Sequence, residues 1–277
     1  MGKIILADNM EILPEFASAS VDLVYIDPPF NTGKTQKRTT LRTVRDQKSG
    51  DRVGFGGRKY RTEKGRSREF QDAFDDFTGF LEPRLVEIHR LLKPGGSFFL
   101  HIDHREVHYC KVLLDRIFGR ECFLNEIIWA YDYGGRSKKK WPAKHDNILF
   151  YAKDPKKYTF NYEEMDRIPY MAPGLVTEKK AARGKTPTDV WWHTIVPTRS
   201  KEKTGYPTQK PLGVITRIVK IHSNPGDLVL DCFAGSGTLG EAAARLDRDF
   251  ILIDNHKEAV KIMARRLAFA DPEHVNF

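Results

Sequence analysis

Short apolar runs recur along the chain and are separated by segments with helical periodicity. Runs of this kind are typical of strands that are buried on both faces of a sheet. They predict strands at residues 4–6, 21–26, 97–102, 127–129, 148–151, 228–232 and 250–253. Apolar residues spaced three to four apart predict helices at residues 10–16, 74–92, 107–118, 212–221, 240–246 and 258–269. Strands that alternate with helices favour an α/β fold with a mostly parallel sheet and helices on both faces.

Two long segments lack this order. Residues 31–68 show neither period and contain six glycines. We therefore predict a long, mobile loop at 33–70, set within a single domain that spans 1–277. Residues 154–206 are polar and weakly patterned, and the Trp191-Trp192 pair is their one apolar landmark.

Composition excludes several classes of protein. No run of eighteen apolar residues is available for a transmembrane helix, and the first residues do not resemble a signal peptide. Three scattered cysteines (Cys110, Cys122 and Cys232) indicate reduced thiols in the cytoplasm. The nine histidines form no metal-binding spacing, so we expect no metal site. His101, His104 and His108 are interpreted as ordinary residues near a helix.

The positive charge is concentrated in one segment. The chain has 46 Lys+Arg and 37 Asp+Glu, a net charge of +9. Between Gly33 and Phe70 stand thirteen basic and four acidic residues, and the difference, again +9, equals the net charge of the whole chain. Such asymmetry favours a polyanionic partner. The alternative is a solvated, disordered loop whose charge only prevents collapse.

One motif suits a nucleotide-like ligand. A predicted strand runs into Asp231-Cys-Phe-Ala-Gly-Ser-Gly-Thr238, and the next strand ends in Asp254. Glycines allow close approach of the backbone to a ligand, and an acid after the second strand suits a ribose diol. A third glycine in register, Gly240, keeps a dinucleotide-dependent oxidoreductase open, and a tight structural turn is the plain alternative. No Lys-Ser/Thr pair follows the glycines, which excludes a Walker A loop.

A second motif suits a planar base with an exocyclic amine. The strand at 21–26 ends in Asp27-Pro28-Pro29-Phe30. The prolines stop the strand and stiffen the backbone, so a carboxylate, a carbonyl and an aromatic ring are presented together. Two acceptors can hold the two amine protons while the ring stacks on the base. A proline-stiffened turn is the structural alternative.

Together with Tyr206-Pro-Thr-Gln-Lys-Pro211, these two motifs resemble those of the amino-group DNA methyltransferases, which make N6-methyladenine or N4-methylcytosine. The catalytic motif precedes the cofactor motif, as in the β class, and the resemblance covers nearly the whole chain. It implies a circularly permuted, Rossmann-like fold with S-adenosylmethionine as the cofactor. It also implies that Asp27, Pro28, Pro29 and Phe30 are catalytic. The cofactor residues it implies are Asp8, Asp27, Thr208, Lys210, Asp231, Phe233, Ala234, Gly235, Ser236, Gly237, Thr238, Asp254 and Asn255.

The resemblance further implies double-stranded DNA as the partner, with the target base flipped out. Candidate DNA contacts come from the 33–70 segment and from a basic stretch at 136–144; the latter has a solvated hairpin tip as its alternative. The residues concerned are Lys34, Lys37, Arg38, Arg42, Arg45, Arg136, Lys138, Lys139 and Lys140, with Trp141 and Lys144 beside them. Residues 155–205 correspond to the family's target-recognition region. On the same basis, the candidate protein partners are a second copy of the chain and a cognate restriction endonuclease. We expect a cytoplasmic, nucleoid-associated protein of prokaryotic or phage origin, and no membrane partner.

Asp at position 27 favours adenine N6 as the methylated atom. The alternatives are methylation of cytosine N4, of an amide in protein or of RNA, and a DNA-binding protein without activity. Methylation at cytosine carbon 5 is disfavoured, because it needs a nucleophilic cysteine and none of the three follows a proline.

Overall fold

The computed structural model describes residues 1–46, 48–49, 52–53, 57–197 and 199–277, with the side chains of 34–43, 52–53 and 62–71 excepted. It divides the chain into two compact units, of which the larger comprises residues 1–30 and 76–277 and the smaller residues 31–75. The sequence predicts one domain with a loop, and the structure instead gives the inserted segment a sheet of its own.

The strands in the described part of the chain are β1 (Gly2–Leu6), β2 (Val21–Ile26), β3 (Lys34–Arg45), β4 (Arg52–Val53), β5 (Lys59–Asp72), β6 (Leu92–Ile102), β7 (Phe123–Ala130), β8 (His145–Ala152), β9 (Val190–Trp192), β10 (Leu228–Asp231), β11 (Asp249–Asp254) and β12 (Glu273–Val275). The helices are α1 (Asn9–Ile12), α2 (Phe77–Leu91), α3 (Val107–Phe118), α4 (Glu178–Arg183), α5 (Leu212–His222), α6 (Thr238–Arg245) and α7 (Lys257–Arg266). Among the described helices, none has the length and apolar character needed to cross a membrane.

The larger unit is built on a nine-stranded sheet in the order β12-β1-β11-β10-β2-β6-β8-β7-β9. Every neighbouring pair from β12 to β6 is parallel, whereas β8 is antiparallel to both β6 and β7. The predicted mostly parallel sheet is therefore confirmed. Because β1, β2, β6, β10 and β11 run in one direction, their carboxyl ends share one edge of the sheet, where α/β proteins place their ligands.

Adjacent residues of β6 show that helices cover both faces of this sheet. Phe98 stacks on Phe118 of α3, with ring centroids 5.5 Å apart. Phe99 points to the opposite face, where its ring lies 4.8 Å from that of His222 on α5. Successive side chains of a strand alternate between faces, so a wholly apolar strand predicts this double cover.

The smaller unit is a three-stranded antiparallel sheet in the order β3-β5-β4. The prediction of a loop at 33–70 is wrong, because long strands occupy most of this segment. Their polar sequence lacks the alternation of apolar residues that identifies a half-buried strand. Two features favour pairing instead: five of the twelve residues of β3 are Thr or Val, and the register places Lys37 opposite Glu69 and Arg42 opposite Glu63.

Candidate active site

The Asp-Pro-Pro-Phe turn begins where β2 ends and presents a carboxylate with two unlike oxygens. Oδ2 of Asp27 accepts a hydrogen bond from the ammonium of Lys210, and both side chains are largely buried. Oδ1 of Asp27 is buried and has no hydrogen-bond partner among the described residues. A buried acceptor without a donor is costly, so this oxygen is a clear candidate for binding a ligand N–H.

Phe30, the last residue of the turn, lies beside the same lysine. Lys210 Nζ is 4.8 Å from the centroid of the Phe30 ring. The structure thus brings the predicted catalytic turn and the Thr-Gln-Lys-Pro segment together, although they are far apart in sequence. Gln209, which sequence reasoning did not select, is buried and holds this segment: it accepts from the Thr204 amide at 2.8 Å and donates to the Glu202 carbonyl at 2.7 Å. Thr208 is exposed.

The glycine turn after β10 is tied to the end of β11. The Gly235 amide donates to Oδ2 of Asp254 at 2.8 Å, and the His256 amide donates to Oδ1 at 2.8 Å. Gly235 and Gly237 have φ of +51° and +73°. A Cβ on Gly237 would lie 2.9 Å from Met263 Cγ, so the turn needs glycine for both its dihedral angle and its space. Asn255, the next predicted cofactor residue, is exposed.

Negative charge accumulates at this edge of the sheet. Asp231 is buried and accepts a hydrogen bond from the Phe233 amide at 2.9 Å. Burial, followed by the charges of Asp27 and Asp254, raises the pKa of Asp231 well above its usual range. Burial also raises the pKa of Asp254. A site with this surplus of carboxylates, and Lys210 among them, favours a ligand that carries positive charge.

The remaining residues of the glycine turn are held from beneath by Arg266, a second residue that the sequence did not single out. The Arg266 side chain is 5% exposed and forms an ion pair with Glu241. It also donates to the Ser236 hydroxyl at 3.2 Å and to the Thr238 hydroxyl at 2.9 Å. Ala234 is fixed by its amide, which donates to the carbonyl of Ile253 at 3.1 Å.

Asp8 lies after β1 at the same edge and acts as the N-cap of α1. Its carboxylate accepts from the Met10 amide at 2.8 Å and lies 3.6 Å from the Arg84 guanidinium. Arg84 in turn covers the ring of Phe80, which contacts the ring of Phe233 at 6.1 Å between centroids. The structure therefore shows Asp8 in a capping role, and its predicted place near a cofactor stays a prediction.

A buried polar network that the sequence does not predict lies behind Phe30. His101 is fully buried in β6, so its interpretation as a residue near a helix is wrong, whereas His104 and His108 do lie beside or within α3. His101 Nδ1 is 2.7 Å from the Tyr25 hydroxyl, and Nε2 is 3.2 Å from Asp146 Oδ2. The signal in the sequence is the histidine itself, since a polar residue within the apolar run Ser97–Ile102 needs buried partners.

The candidate DNA contacts lie in two places, the turn between β7 and β8 and the strand β3. Arg136, Lys138, Lys139 and Lys140 are exposed in the turn between β7 and β8, and the Trp141 side chain is 96% exposed. Arg136 forms an ion pair with Asp132 at 2.6 Å. Arg45 is exposed at the end of β3, but the side chains of the other four predicted residues in that strand lie outside the described part of the structure. Those four are Lys34, Lys37, Arg38 and Arg42.

Within the predicted recognition region, the two tryptophans have different environments. Trp191 is buried, with the Arg217 guanidinium 4.8 Å from its ring centroid, whereas Trp192 is 76% exposed. One is therefore part of the core and the other is available at the surface.

Comparisons with known proteins agree with this site. Residues 21–265 match the N6/N4 DNA methylase family. The chain is 30% identical over 265 residues to the type II methyltransferase M.HpaI of Haemophilus parainfluenzae, covering 96% of this chain and 74% of that protein. It is also 30% identical over 275 residues to the DNA adenine methyltransferase YhdJ of Escherichia coli K12, covering 96% and 83%. The crystal structure of the M1.HpyAVI–SAM complex shares the fold, with a TM-score of 0.62, 23% identity and coverage of 96% and 99%.

A permuted Rossmann-like sheet with an Asp-Pro-Pro-Phe turn beside a glycine turn defines a DNA amino-group methyltransferase. The chain belongs to the N6/N4 DNA methylase family, and it is a DNA methyltransferase that depends on S-adenosylmethionine.

Proposed function

We propose that this methyltransferase acts on the N6 amine of adenine in a base flipped out of double-stranded DNA. The observation that carries the proposal is Asp27, whose Oδ1 is buried without a donor while Oδ2 is occupied by Lys210. One acceptor is thus left for one N–H of an amine. The relative YhdJ, itself an adenine methyltransferase by name, supports adenine over cytosine.

The residues at the sheet edge fit S-adenosylmethionine. When bound, it supplies a methyl group on a positively charged sulfur, together with an ammonium and a ribose diol. The surplus of carboxylates around Asp231 suits these positive charges. The glycine turn leaves room for close approach, and Asp254 is the acid for the ribose. We propose as cofactor-binding residues Asp8, Asp27, Thr208, Lys210, Asp231, Phe233, Ala234, Gly235, Ser236, Gly237, Thr238, Asp254 and Asn255.

The chemistry falls to the turn at 27–30. Asp27 Oδ1 and the carbonyl of Pro28 accept the two N–H groups of the amine, and this draws its lone pair out of conjugation with the ring. Pro29 keeps the backbone extended, and Phe30 stacks on the base. S-adenosylmethionine, when bound, would supply the methyl group that the amine nitrogen takes up, and Asp27 would accept the proton that the amine loses. Neither a covalent enzyme intermediate nor a metal takes part.

Several finer points belong to the same proposal. The exposed cations of the β7–β8 turn and those of β3 contact DNA phosphates, and residues 155–205 select the target sequence. A homodimer, a cognate restriction endonuclease and a cytoplasmic location stay predictions that the family resemblance supports.

The product nucleoside tests the proposal directly. The protein is incubated with S-adenosylmethionine labelled in its methyl group and with unmethylated bacterial DNA, and the DNA is then digested to nucleosides. We expect the label in N6-methyl-2′-deoxyadenosine. Label only in N4-methylcytosine would contradict the adenine assignment and keep the mechanism. A parallel incubation with bacterial RNA tests the class of substrate: label in RNA and none in DNA would reject DNA as the substrate.

A further inference from the structure

The ring of His101 lies directly behind Phe30. Their centroids are 5.9 Å apart and their planes are inclined by 33°. The register of the sheet explains the proximity, because Ile26 of β2 is paired with Leu100 of β6. The next residue is Asp27 after β2 and His101 in β6, so the Asp-Pro-Pro-Phe turn begins beside His101.

Both nitrogens of His101 are engaged. Burial, followed by the charges of Asp27, Asp231 and Asp146, raises the pKa of Tyr25 well above its usual range, so its hydroxyl keeps its proton 2.7 Å from Nδ1. The tautomer with hydrogen on Nε2 satisfies both contacts at once: Nε2 donates to Asp146 and Nδ1 accepts from the Tyr25 hydroxyl. Although burial opposes it, hydrogen bonding from His101 lowers the pKa of Asp146, which keeps that carboxylate ionised as an acceptor.

The network extends from Asp146 to a second tyrosine. Asp146 Oδ1 accepts from the Tyr131 hydroxyl at 3.1 Å, and Tyr131 is only partly buried. The edges of the His101 ring are also fixed: it meets Trp129 at 5.4 Å and 87°, and Tyr25 at 6.0 Å and 80°. With two hydrogen bonds and two perpendicular aromatic contacts, the imidazole has one orientation.

We propose that His101 is a positioning residue for methyl transfer, which through its hydrogen bonds to Tyr25 and Asp146 holds the Phe30 ring where the flipped base stacks. This inference rests on the proposed role of Phe30. A well-packed second layer keeps a site within a fraction of an ångström of its productive geometry. The three residues of this network, Tyr25, His101 and Asp146, come from three different strands, β2, β6 and β8.

The test compares two buried histidines. His101→Phe keeps an aromatic ring and removes both hydrogen bonds. His222→Phe is the matched control, because His222 is also buried among aromatic rings but lies on α5 and contacts Phe99 and Phe150. We expect His101→Phe to lower kcat by about 10- to 100-fold with the KM for S-adenosylmethionine unchanged. His222→Phe should leave kcat as it is, and thermal unfolding of both variants separates stability from catalysis.

Tyr25→Phe removes a single hydroxyl, and it tests the positioning role of His101 if His101→Phe does not fold. It should lower kcat by a smaller factor, again without a change in KM for the cofactor. Full kcat in either folded variant would overturn the inference. If the wild-type protein transfers no methyl group to DNA, the proposed function fails, but the positioning role of His101 can still be tested. Crystal structures of the wild type and of His101→Phe are compared, and a Phe30 ring in the same place in both would overturn that role.

Discussion

Lys210 is paired with Asp27 through one oxygen of the carboxylate, 183 positions away in the sequence. The pair joins the Thr-Gln-Lys-Pro segment to the Asp-Pro-Pro-Phe turn, and the other carboxylate oxygen has no hydrogen-bond partner among the described residues. The lysine therefore orients Asp27 as well as reducing the negative charge of the site. In the proposed mechanism, a carboxylate held in this way is oriented for the amine before the base binds.

Asp27→Asn should abolish most of the activity while the protein still binds cofactor. The amide has the same shape but presents an NH₂ group to the amine or to Lys210, so one acceptor is lost. We expect kcat to fall by about 100- to 1000-fold, the range for loss of one preorganised hydrogen bond at a reacting centre. Calorimetric titration with S-adenosylmethionine is the control, and turnover near the wild-type rate would contradict the mechanism.

Lys210→Met should lower kcat and destabilise the fold. It leaves the largely buried Asp27 carboxylate unpaired, and we expect a loss of about 1–3 kcal/mol in the free energy of unfolding. Lys93→Met provides the control for kcat, because Lys93 also forms an ion pair with an aspartate, 2.7 Å from Asp22 of β2, but at the amino ends of β2 and β6 and with a more exposed side chain. The control should keep its kcat. Equal losses of kcat in the two variants would mean that the lysine at 210 has no specific role in the site.

Gly235→Ala should weaken cofactor binding. Gly235 has φ of +51°, and its new Cβ would lie 3.1 Å from the ring of Tyr206. A left-handed conformation costs a residue with a side chain about 1–2 kcal/mol, so the turn of the variant should relax to another conformation. Restoring the turn on binding would then weaken the affinity roughly tenfold. Gly174→Ala is the matched control, since no atom lies within 4 Å of its Cβ position and its φ is not left-handed. The dissociation constants of both variants for S-adenosylmethionine, compared with the wild type, test this prediction.

His222 should make the fold sensitive to acid. Burial lowers the pKa of His222 from 6.5 to about 3. Between these two values the unfolded chain binds a proton that the folded protein excludes, so stability is complete above pH 6.5 and falls as the pH decreases. The loss is about 1.4 kcal/mol for each pH unit below 6.5. Urea unfolding at pH 7.5 and 5.5 should show a steeper loss for the wild type than for His222→Phe, and parallel losses would contradict the assignment.

Neutralising the turn between β7 and β8 should reduce the salt dependence of DNA binding. Replacing Lys138, Lys139 and Lys140 by Gln removes three exposed cations, and the slope of log affinity against log salt should fall by up to about 2.7. Cofactor affinity should not change. The charge-matched control replaces Lys257, Lys261 and Arg265, which are exposed along α7. If both triple variants gave the same slope, the turn would be a solvated hairpin tip.

Sequence alone predicts those parts of the fold and site that depend on local pattern. Apolar runs locate β2, β10 and β11, and the motifs at their carboxyl ends follow from proline and glycine chemistry. The network of Tyr25, His101 and Asp146 could not be predicted, because these three residues lie on three strands whose register is set by tertiary packing. The strands β3 and β5 were missed for another reason: their stabilisation lies in cross-strand pairing, which leaves no periodic apolar signal.

The pairing of β10 with β2 has a consequence for the order in which the protein folds. The amide of Leu228 donates to Asp22 at 3.0 Å, a contact that spans 206 residues. The centre of the sheet thus closes only after almost the whole chain has left the ribosome. A high mean sequence separation of contacts makes folding slow, and β2 waits with an unpaired apolar edge during synthesis. The order of the strands along the chain therefore exposes the nascent protein to aggregation.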